Sequence, residues 1–271
     1  MPPVSFRNWA ASRLHTCCWG GKLGDYYREL AEARGITLYK VEVACDTRIN
    51  VTLLQDGSCG EEHYLSPGPR VEAREVADLE RMVFKHAESY SACLFAGSLP
   101  QGLPATFYRD LILRFERRGL RCALDADGEA LIQGVKATPF LIKPNEEEIE
   151  VLAGRKLRNT RVRVAFARRL VQSGIRHVLV SLGAEGALIV TDQCEPFFVR
   201  PPRVRVQRTV GAGDSFVASY LFGLEKKWSI ERSAAFAAAT GTAAVANRVW
   251  RGRIKKDTLR FLKQVKIEAI Q

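Results

Sequence analysis

Residues 209–216 read Thr-Val-Gly-Ala-Gly-Asp-Ser-Phe, a glycine-rich stretch that leads directly into apolar residues at helical spacing. This pattern predicts a tight turn followed by a helix with one buried face. The free N–H groups and the dipole at the start of a helix bind anions, and glycine lets a phosphate approach the backbone closely. Asp214, beside those N–H groups, is suited to accept a proton from a hydroxyl during phosphoryl transfer. The same spacing is equally compatible with Asp214 serving only as an N-cap of the helix.

Upstream of this turn, short apolar runs alternate with stretches of helical periodicity. Predicted strands cover residues 92–96, 122–125, 140–142, 177–180 and 187–190, and predicted helices cover 107–118 and 163–172. Short, nearly continuous apolar strands separated by helices predict an α/β fold with a mostly parallel sheet covered on both faces. Ligands of such sheets bind beyond the carboxyl ends of the strands. Several polar motifs directly follow predicted strands, which is where this rule places a site.

A different pattern, typical of an antiparallel hairpin, occupies residues 47–65. Thr47–Leu54 and Glu61–Leu65 are separated by a segment containing Asp56 and Gly57. Asp-Gly is a strong signal for a hairpin turn. A small hairpin early in an α/β chain could form a lid over an active site, and an ordinary edge hairpin fits the pattern equally well.

Composition limits the class of protein. The 271 residues are 46% hydrophobic and 26% charged, which is typical of a globular protein and excludes a collagenous or wholly disordered chain. No apolar run is long enough to span a bilayer, so no membrane partner is expected. The seven cysteines are odd in number and lack a CxxC pair. They indicate reduced thiols in the cytoplasm rather than a disulfide framework or a zinc site.

The chain is strongly basic, with a formal net charge of +11. Residues 151–184 contain eight arginines and lysines and no acidic residue. A nucleic-acid partner is one interpretation, but no RNA-binding aromatic pattern or zinc finger accompanies the charge. A solvated basic surface that attracts phosphorylated ligands is therefore favoured over a nucleic-acid partner.

The nucleotide-binding motifs of several other folds are absent from the sequence. It contains no GxxxxGK[ST] phosphate loop and no HRD or DFG pair of a protein kinase. Phosphoryl transfer by this chain therefore requires a different fold.

Four segments, in order along the chain, carry a resemblance to a known family. They are residues 97–102 (Gly-Ser-Leu-Pro-Gln-Gly), 143–148 (Lys-Pro-Asn-Glu-Glu-Glu), 181–186 (Ser-Leu-Gly-Ala-Glu-Gly) and 209–214. With them the chain resembles the ribokinase-like (phosphofructokinase B) carbohydrate kinases. The resemblance implies one kinase domain over residues 1–271. Its fold would be a three-layer α/β sandwich with a small β lid at residues 41–66.

The resemblance also implies the reaction, an ATP-dependent phosphorylation of a phosphosugar with Mg²⁺ as the metal. Residues 47–51 and 153–157 resemble the branch that acts on fructose 1-phosphate; the branch that acts on tagatose 6-phosphate is the near alternative. A catalytically impaired member is a further alternative. A homodimer formed through the lid is the implied assembly.

Residue roles are carried over position by position from the family. Asp214 matches the catalytic base, and Gly211, Ala212 and Gly213 match the anion hole. The nucleotide-binding positions are Lys143, Asn145, Ser181, Gly183 and Gly186, the metal-binding positions are Asn145 and Glu148, and the substrate-binding positions are Arg48, Asn50 and Ser98. From the residues alone, the acidic residues 146–148 are equally compatible with the charged first turn of a helix, without any metal-binding role.

The sequence departs from the family pattern in three places. The family's Asn-Pro-Ala-x-Asp and Gly-Gly-Lys-Gly segments do not occur, so a strand–helix unit with half of the sugar site is expected to be missing. Residues 247–252 replace a Pro-Gly loop beside the adenine, and Arg208 stands where a small or acidic residue is usual. Weak folding and slow turnover are the expected consequences.

Overall fold

The computed structural model describes residues 14–54, 61–87, 89–247 and 254–270. Contacts divide the chain into two compact units: the first comprises residues up to Ser89 together with Leu99–Pro104, and the second comprises Tyr90–Ser98 and Ala105 onward. The predicted hairpin turn at Asp56 and Gly57, and residues 248–252 of the departing loop, lie outside the described residues.

The first unit contains a parallel strand pair, two helices and a hairpin. Its elements are β1 (Leu14–Trp19), α1 (Gly21–Glu32), β2 (Thr37–Glu42), β3 (Asn50–Leu54), β4 (Glu61–Leu65) and α2 (Ala73–Ala87). Strand β1 pairs with β2 in parallel, and β3 pairs with β4 in the antiparallel sense. The antiparallel hairpin predicted from the sequence is therefore confirmed.

Two close contacts hold the loop between β2 and β3 in the first unit. A Cβ added at Gly20 would lie 2.0 Å from the carbonyl oxygen of Cys45, so only glycine fits there. The buried carboxylate of Glu75 accepts hydrogen bonds from the N–H groups of Ala44 and Glu72, at 3.0 and 2.7 Å. These bonds compensate for the cost of burying the charge.

The second unit contains a seven-stranded sheet. Its strands are β5 (Ala92–Ala96), β6 (Arg121–Asp125), β7 (Leu141–Ile142), β8 (His177–Ser181), β9 (Ala187–Thr191), β10 (Phe197–Arg200) and β11 (Lys266–Ala269), in the order β11-β10-β9-β8-β7-β6-β5. Strands β5 to β8 are parallel, and β9 and β11 run in the opposite direction to the other five. The mostly parallel α/β fold is thus confirmed. Strand β9 is antiparallel because the short turn at 182–186 leaves no room for a crossover.

Helices flank this sheet. They are α3 (Phe107–Glu116), α4 (Gly128–Val135), α5 (Glu146–Ala153), α6 (Thr160–Gln172), α7 (Ala212–Glu225), α8 (Ile230–Val245) and α9 (Ile254–Leu262). Helix α6 begins three residues before the predicted start because the side chain of Asn159 accepts a hydrogen bond from Val162 N–H at 2.9 Å. Helix α3 ends two residues early, ahead of Gly119 with its φ of 79°. None of the helices in the described ranges is both long enough and apolar enough to cross a bilayer.

The core of the second unit is formed by the sheet and the helix pair α7–α8. Leu179, Ile189 and Tyr220 are buried in one cluster between them. Alanines and serines of α8 permit close helix contact: a Cβ added at Gly223 would lie 2.5 Å from Ser233 Oγ. Helix α7 is thereby anchored to the main body of the second unit.

A buried histidine in this core makes folding sensitive to acid. His177 is 1% exposed, and its Nδ1 lies 3.1 Å from the Tyr220 hydroxyl. Burial lowers the pKa of His177 from 6.5 to about 4, against an opposing effect of Asp192. A group with a depressed folded-state pKa stabilises the fold above its unfolded pKa, and this stability is lost as the pH falls from 6.5 towards 4.

We expect the free energy of unfolding to fall by about 2–3 kcal/mol between pH 7 and 4.5 through this group alone. The measurement is urea unfolding at both pH values for the wild type and for His177→Gln, which lacks the titrating ring. The variant should show a shallower pH dependence. Equal slopes in the two proteins would contradict the assignment.

Candidate active site

The carboxyl ends of strands β5 to β8 are tied to one another by backbone hydrogen bonds. Gly97 N–H donates to Asp125 O at 3.0 Å, Lys143 N–H donates to Leu124 O at 3.1 Å, and Ser181 N–H donates to Pro144 O at 2.9 Å. These bonds continue the parallel pairing past the strand ends. Four sequence-predicted residues consequently lie along one edge of the sheet: Ser98, Lys143, Asn145 and Ser181.

The glycine-rich turn opens helix α7 as predicted. Gly211 occupies the N-cap position with a φ of 86°, a left-handed conformation that favours glycine. Ala212 N–H donates to Thr209 O at 3.1 Å and Ser215 N–H donates to Gly211 O at 3.0 Å. Asp214 is an exposed residue of the first helical turn rather than its N-cap, so the N-cap interpretation is wrong. The first-turn N–H groups of a helix point along its axis, an arrangement that is suited to binding an anion.

A buried ion pair lies beneath this turn. Lys143 Nζ is 2.9 Å from Asp125 Oδ1, with side-chain exposures of 8% and 15%. Burial raises the pKa of Asp125, whereas the Lys143 ammonium acts to lower it. A Cβ added at Gly213 would lie 3.5 Å from both Cε and Nζ of Lys143. The ammonium group therefore adjoins the backbone that would hold an anion.

Asp125 is the site residue that the sequence analysis missed. It is the last residue of β6, and the predicted strand 122–125 ended on it. An acidic residue at the carboxyl end of a parallel strand was the available signal.

The predicted metal-binding residues form a capping box at the start of α5. Asn145 Oδ1 accepts from Glu148 N–H at 2.8 Å, and Glu148 Oε2 accepts from Asn145 N–H at 2.8 Å. The charged-helix-turn interpretation of residues 146–148 is thus correct as a description of the local structure. Burial raises the pKa of Glu148, and the carboxylates of Asp125 and Asp127 add to that effect, while the Asn145 hydrogen bond and Lys143 oppose it.

This arrangement fits Mg²⁺. The described residues contain no group of three or more histidine, cysteine or acidic side chains able to hold a metal ion. Mg²⁺ in nucleotide sites needs only one or two carboxylates, because phosphates and water supply its other ligands. The carboxylates of Glu148 and Asp127 give negative charge that such an ion would neutralise, while the carboxylate of Asp125 is already paired with Lys143.

The turn between β8 and β9 presents backbone to solvent. Gly183 and Glu185 are exposed members of a single 3₁₀ turn, and Leu182 N–H donates to Gly186 O at 2.9 Å. Next to this turn, Ser181 and Asn145 form an isolated parallel β-bridge. Of the three predicted nucleotide-binding residues of the turn, Ser181 is therefore paired with Asn145, and Gly183 and Gly186 follow it in the turn.

The two remaining substrate-binding predictions fall in the first unit. Arg48 is half-buried and packs against Gly68: a Cβ added at that glycine would lie 3.7 Å from Arg48 Nη1. Asn50 is the exposed first residue of β3.

Comparisons with known proteins show which proteins this chain is similar to in sequence and fold. The profile described as pfkB family carbohydrate kinase matches residues 12–250. The 1-phosphofructokinase of Escherichia coli K12 is 37% identical over 235 residues, covering 84% of this chain and 73% of that protein. The ATP-dependent 6-phosphofructokinase isozyme 2 of the same organism is 33% identical over 232 residues, covering 84% and 74%. A crystal structure of Escherichia coli phosphofructokinase-2 with substrates and products has a TM-score of 0.86 at 30% identity, covering 93% of this chain and 82% of that one.

Proposed function

Since the chain belongs to the pfkB family of carbohydrate kinases, and is therefore an ATP-dependent phosphotransferase acting on an alcohol group, we propose that its substrate is fructose 1-phosphate. The observation that carries this choice is the 37% identity to a 1-phosphofructokinase over 84% of the chain. The 33% identity to a 6-phosphofructokinase isozyme makes fructose 6-phosphate the second candidate. Tagatose 6-phosphate is the third, on the resemblance of the sequence motifs.

In the proposed mechanism, Asp214 accepts the proton of the sugar 6-hydroxyl as its oxygen attacks the γ-phosphorus of ATP. The bond between that phosphorus and the β,γ-bridging oxygen breaks, and ADP leaves. The N–H groups of Gly211 and Gly213 are proposed to stabilise the charge on the phosphoryl group in transit, and Ala212, whose N–H donates to Thr209 O, to hold the turn between them. Exposure of Asp214 at the start of α7 supports this role.

The nucleotide is proposed to bind along the sheet edge. Lys143 offers a positive charge to its phosphates, and the turn at 181–186 offers exposed backbone. Asn145 and Glu148 would hold Mg²⁺, which when bound neutralises phosphate charge.

The substrate assignment is tested by measuring ADP release with fructose 1-phosphate, fructose 6-phosphate and tagatose 6-phosphate in parallel. We expect kcat/KM for fructose 1-phosphate to exceed the other two values. A larger value for another sugar would replace the proposed substrate. Calorimetrically detected MgADP binding without turnover of any of the three would favour the catalytically impaired alternative.

Arg48→Ala should raise the KM for the phosphosugar about tenfold to hundredfold and leave the KM for ATP within about twofold. Arginine recognises phosphate through charge-assisted hydrogen bonds, each of which contributes about 1.5–3 kcal/mol. Arg81→Ala is the matched control, because Arg81 is an exposed arginine of the same unit in an ion pair with Asp78. Parallel increases in both KM values of Arg48→Ala would contradict a phosphosugar contact.

The β3–β4 hairpin is proposed to join two copies of the chain. Ile49, Val51, Leu53 and Tyr64 are 46–58% exposed, and Val51 lies opposite Tyr64 in the register. Alternate residues share a face of a strand, so these side chains form one apolar patch suited to an interface. Sedimentation should show a dimer that Val51→Glu dissociates; a monomeric wild type would refute the interface. Cys45, Cys93, Cys122 and Cys194 are free thiols, which supports a reducing, cytoplasmic location.

A further inference from the structure

The structure assigns a positioning role to Asp125: we propose that it holds the Lys143 ammonium group against the anion-binding turn, so that the ammonium is oriented before nucleotide arrives. The inference rests on the proposed contact of Lys143 with nucleotide phosphates. It concerns a residue outside the four motifs of the sequence.

The fold presents the two side chains to each other from adjacent strands. Asp125 is the last residue of β6, and Lys143 directly follows β7, its parallel neighbour. The backbone N–H of Lys143 donates to Leu124 O at 3.1 Å, which fixes the register at this point. The 2.9 Å contact between Lys143 Nζ and Asp125 Oδ1 is therefore built on a rigid part of the sheet.

Burial makes this pair different from the other ion pairs among the described residues. Both of its side chains are at most 15% exposed, whereas Arg168 and Glu195, for example, are 48% and 87% exposed. A buried ammonium without a counter-charge is strongly disfavoured. Asp125 thus supplies the counter-charge to the Lys143 ammonium group beside the turn.

Packing directs the ammonium towards the anion site. The end of the Lys143 side chain lies along Gly213, where an added Cβ would be 3.5 Å from both Cε and Nζ. The side chain is consequently held between Asp125 on one side and the backbone of the turn on the other. An anion bound at the first-turn N–H groups would meet a lysine that is already oriented, and the entropic cost of ordering it on binding would be small.

Three other carboxylates are alternative partners for the Lys143 ammonium group. Asp127 and Asp214 both interact electrostatically with Asp125 and act to raise its pKa, in addition to the larger effect of burial. Glu148 interacts with Lys143 and with Asp125. Without Asp125, these three carboxylates compete for the ammonium group, and pairing with Asp214 would engage the proposed base.

The experiment measures MgADP affinity by titration calorimetry for Asp125→Asn, Lys143→Met and the double variant. We expect Asp125→Asn to weaken binding about tenfold to hundredfold, which is the effect of one misplaced charge-assisted contact. The double variant should bind no more weakly than Lys143→Met alone, because Asp125 acts through the lysine. Asp125→Glu should restore part of the affinity, and Glu195→Gln, which breaks an exposed pair, should leave it unchanged.

Folding is checked by thermal unfolding of every variant. Removal of both charges leaves no unpaired buried ion, so the double variant remains informative if Asp125→Asn is unstable. The proposal is overturned if the losses of MgADP affinity in the two single variants add in the double variant. It is also overturned if the MgADP affinity of Asp125→Asn is unchanged while its Tm is lowered, because the pair is then merely structural. A wrong choice of sugar substrate is distinguishable, because it leaves this MgADP pattern intact and appears only in the substrate panel.

Discussion

Asp214→Asn is expected to lower kcat by about 10²- to 10⁴-fold while MgADP affinity stays within about twofold of the wild type. Asparagine keeps the shape of the side chain but cannot accept the hydroxyl proton, and general-base assistance contributes a factor of this size. Asp214 is exposed in the first turn of α7, so the substitution removes no buried contact. Its effect should therefore appear in the chemical step and not in folding.

The measurement is a coupled ADP-release assay with saturating ATP and phosphosugar, accompanied by thermal unfolding. Glu225→Gln is the matched control, because Glu225 is an exposed acid at the other end of the same helix, where it accepts a hydrogen bond from Ser91. The control should retain wild-type kcat. Wild-type kcat in Asp214→Asn would show that another group is the base.

Gly186→Ala is expected to destabilise the fold by about 3–5 kcal/mol and to lower Tm by roughly 10 °C. Gly186 has a φ of 98°, and an added Cβ would lie 2.0 Å from Val199 O and 2.7 Å from Pro201 Cδ. Backbone strain and overlap with β10 therefore act together. Because this glycine closes the turn that begins at Ser181, MgADP binding should weaken as well.

The neighbouring Gly183 separates these two causes. Its φ is 56°, but an added Cβ would meet no atom within 4 Å. Gly183→Ala should then cost only the strain of a left-handed residue, about 1–2 kcal/mol. Equal losses of Tm in Gly183→Ala and Gly186→Ala would show that conformation alone, and not the contact with β10, requires glycine at 186.

Local sequence patterns predicted most of the second unit. The five apolar runs became strands β5 to β9 with ends within one residue of those predicted, because a short buried strand needs little beyond its own apolar residues and a nearby breaker. The helix after the Gly-Ala-Gly turn followed from glycine conformation and apolar spacing, which are also local properties. The N-cap Asn159 placed the start of α6 at Thr160 instead of residue 163. This asparagine was a capping signal already present in the sequence.

The sequence alone could not decide whether Asp214 is the N-cap of α7. An acidic residue near the start of a helix is equally a cap or a free carboxylate, and the choice depends on where the helix begins. The structure places the cap at Gly211, three residues earlier.

The sequence by itself indicated strands β5 to β9, the β3–β4 hairpin, helices α3, α6 and α7, the glycine-rich turn before α7 and the family to which these motifs belong. Only the tertiary structure decided that Asp125 and Lys143, 18 residues apart, form a buried pair beneath Gly213, and that β9 turns back against β8. The physical reason is the range of the interactions. Propensity, capping and turn conformation act between neighbours in the chain, whereas charge pairing and close backbone approach depend on which strands lie side by side.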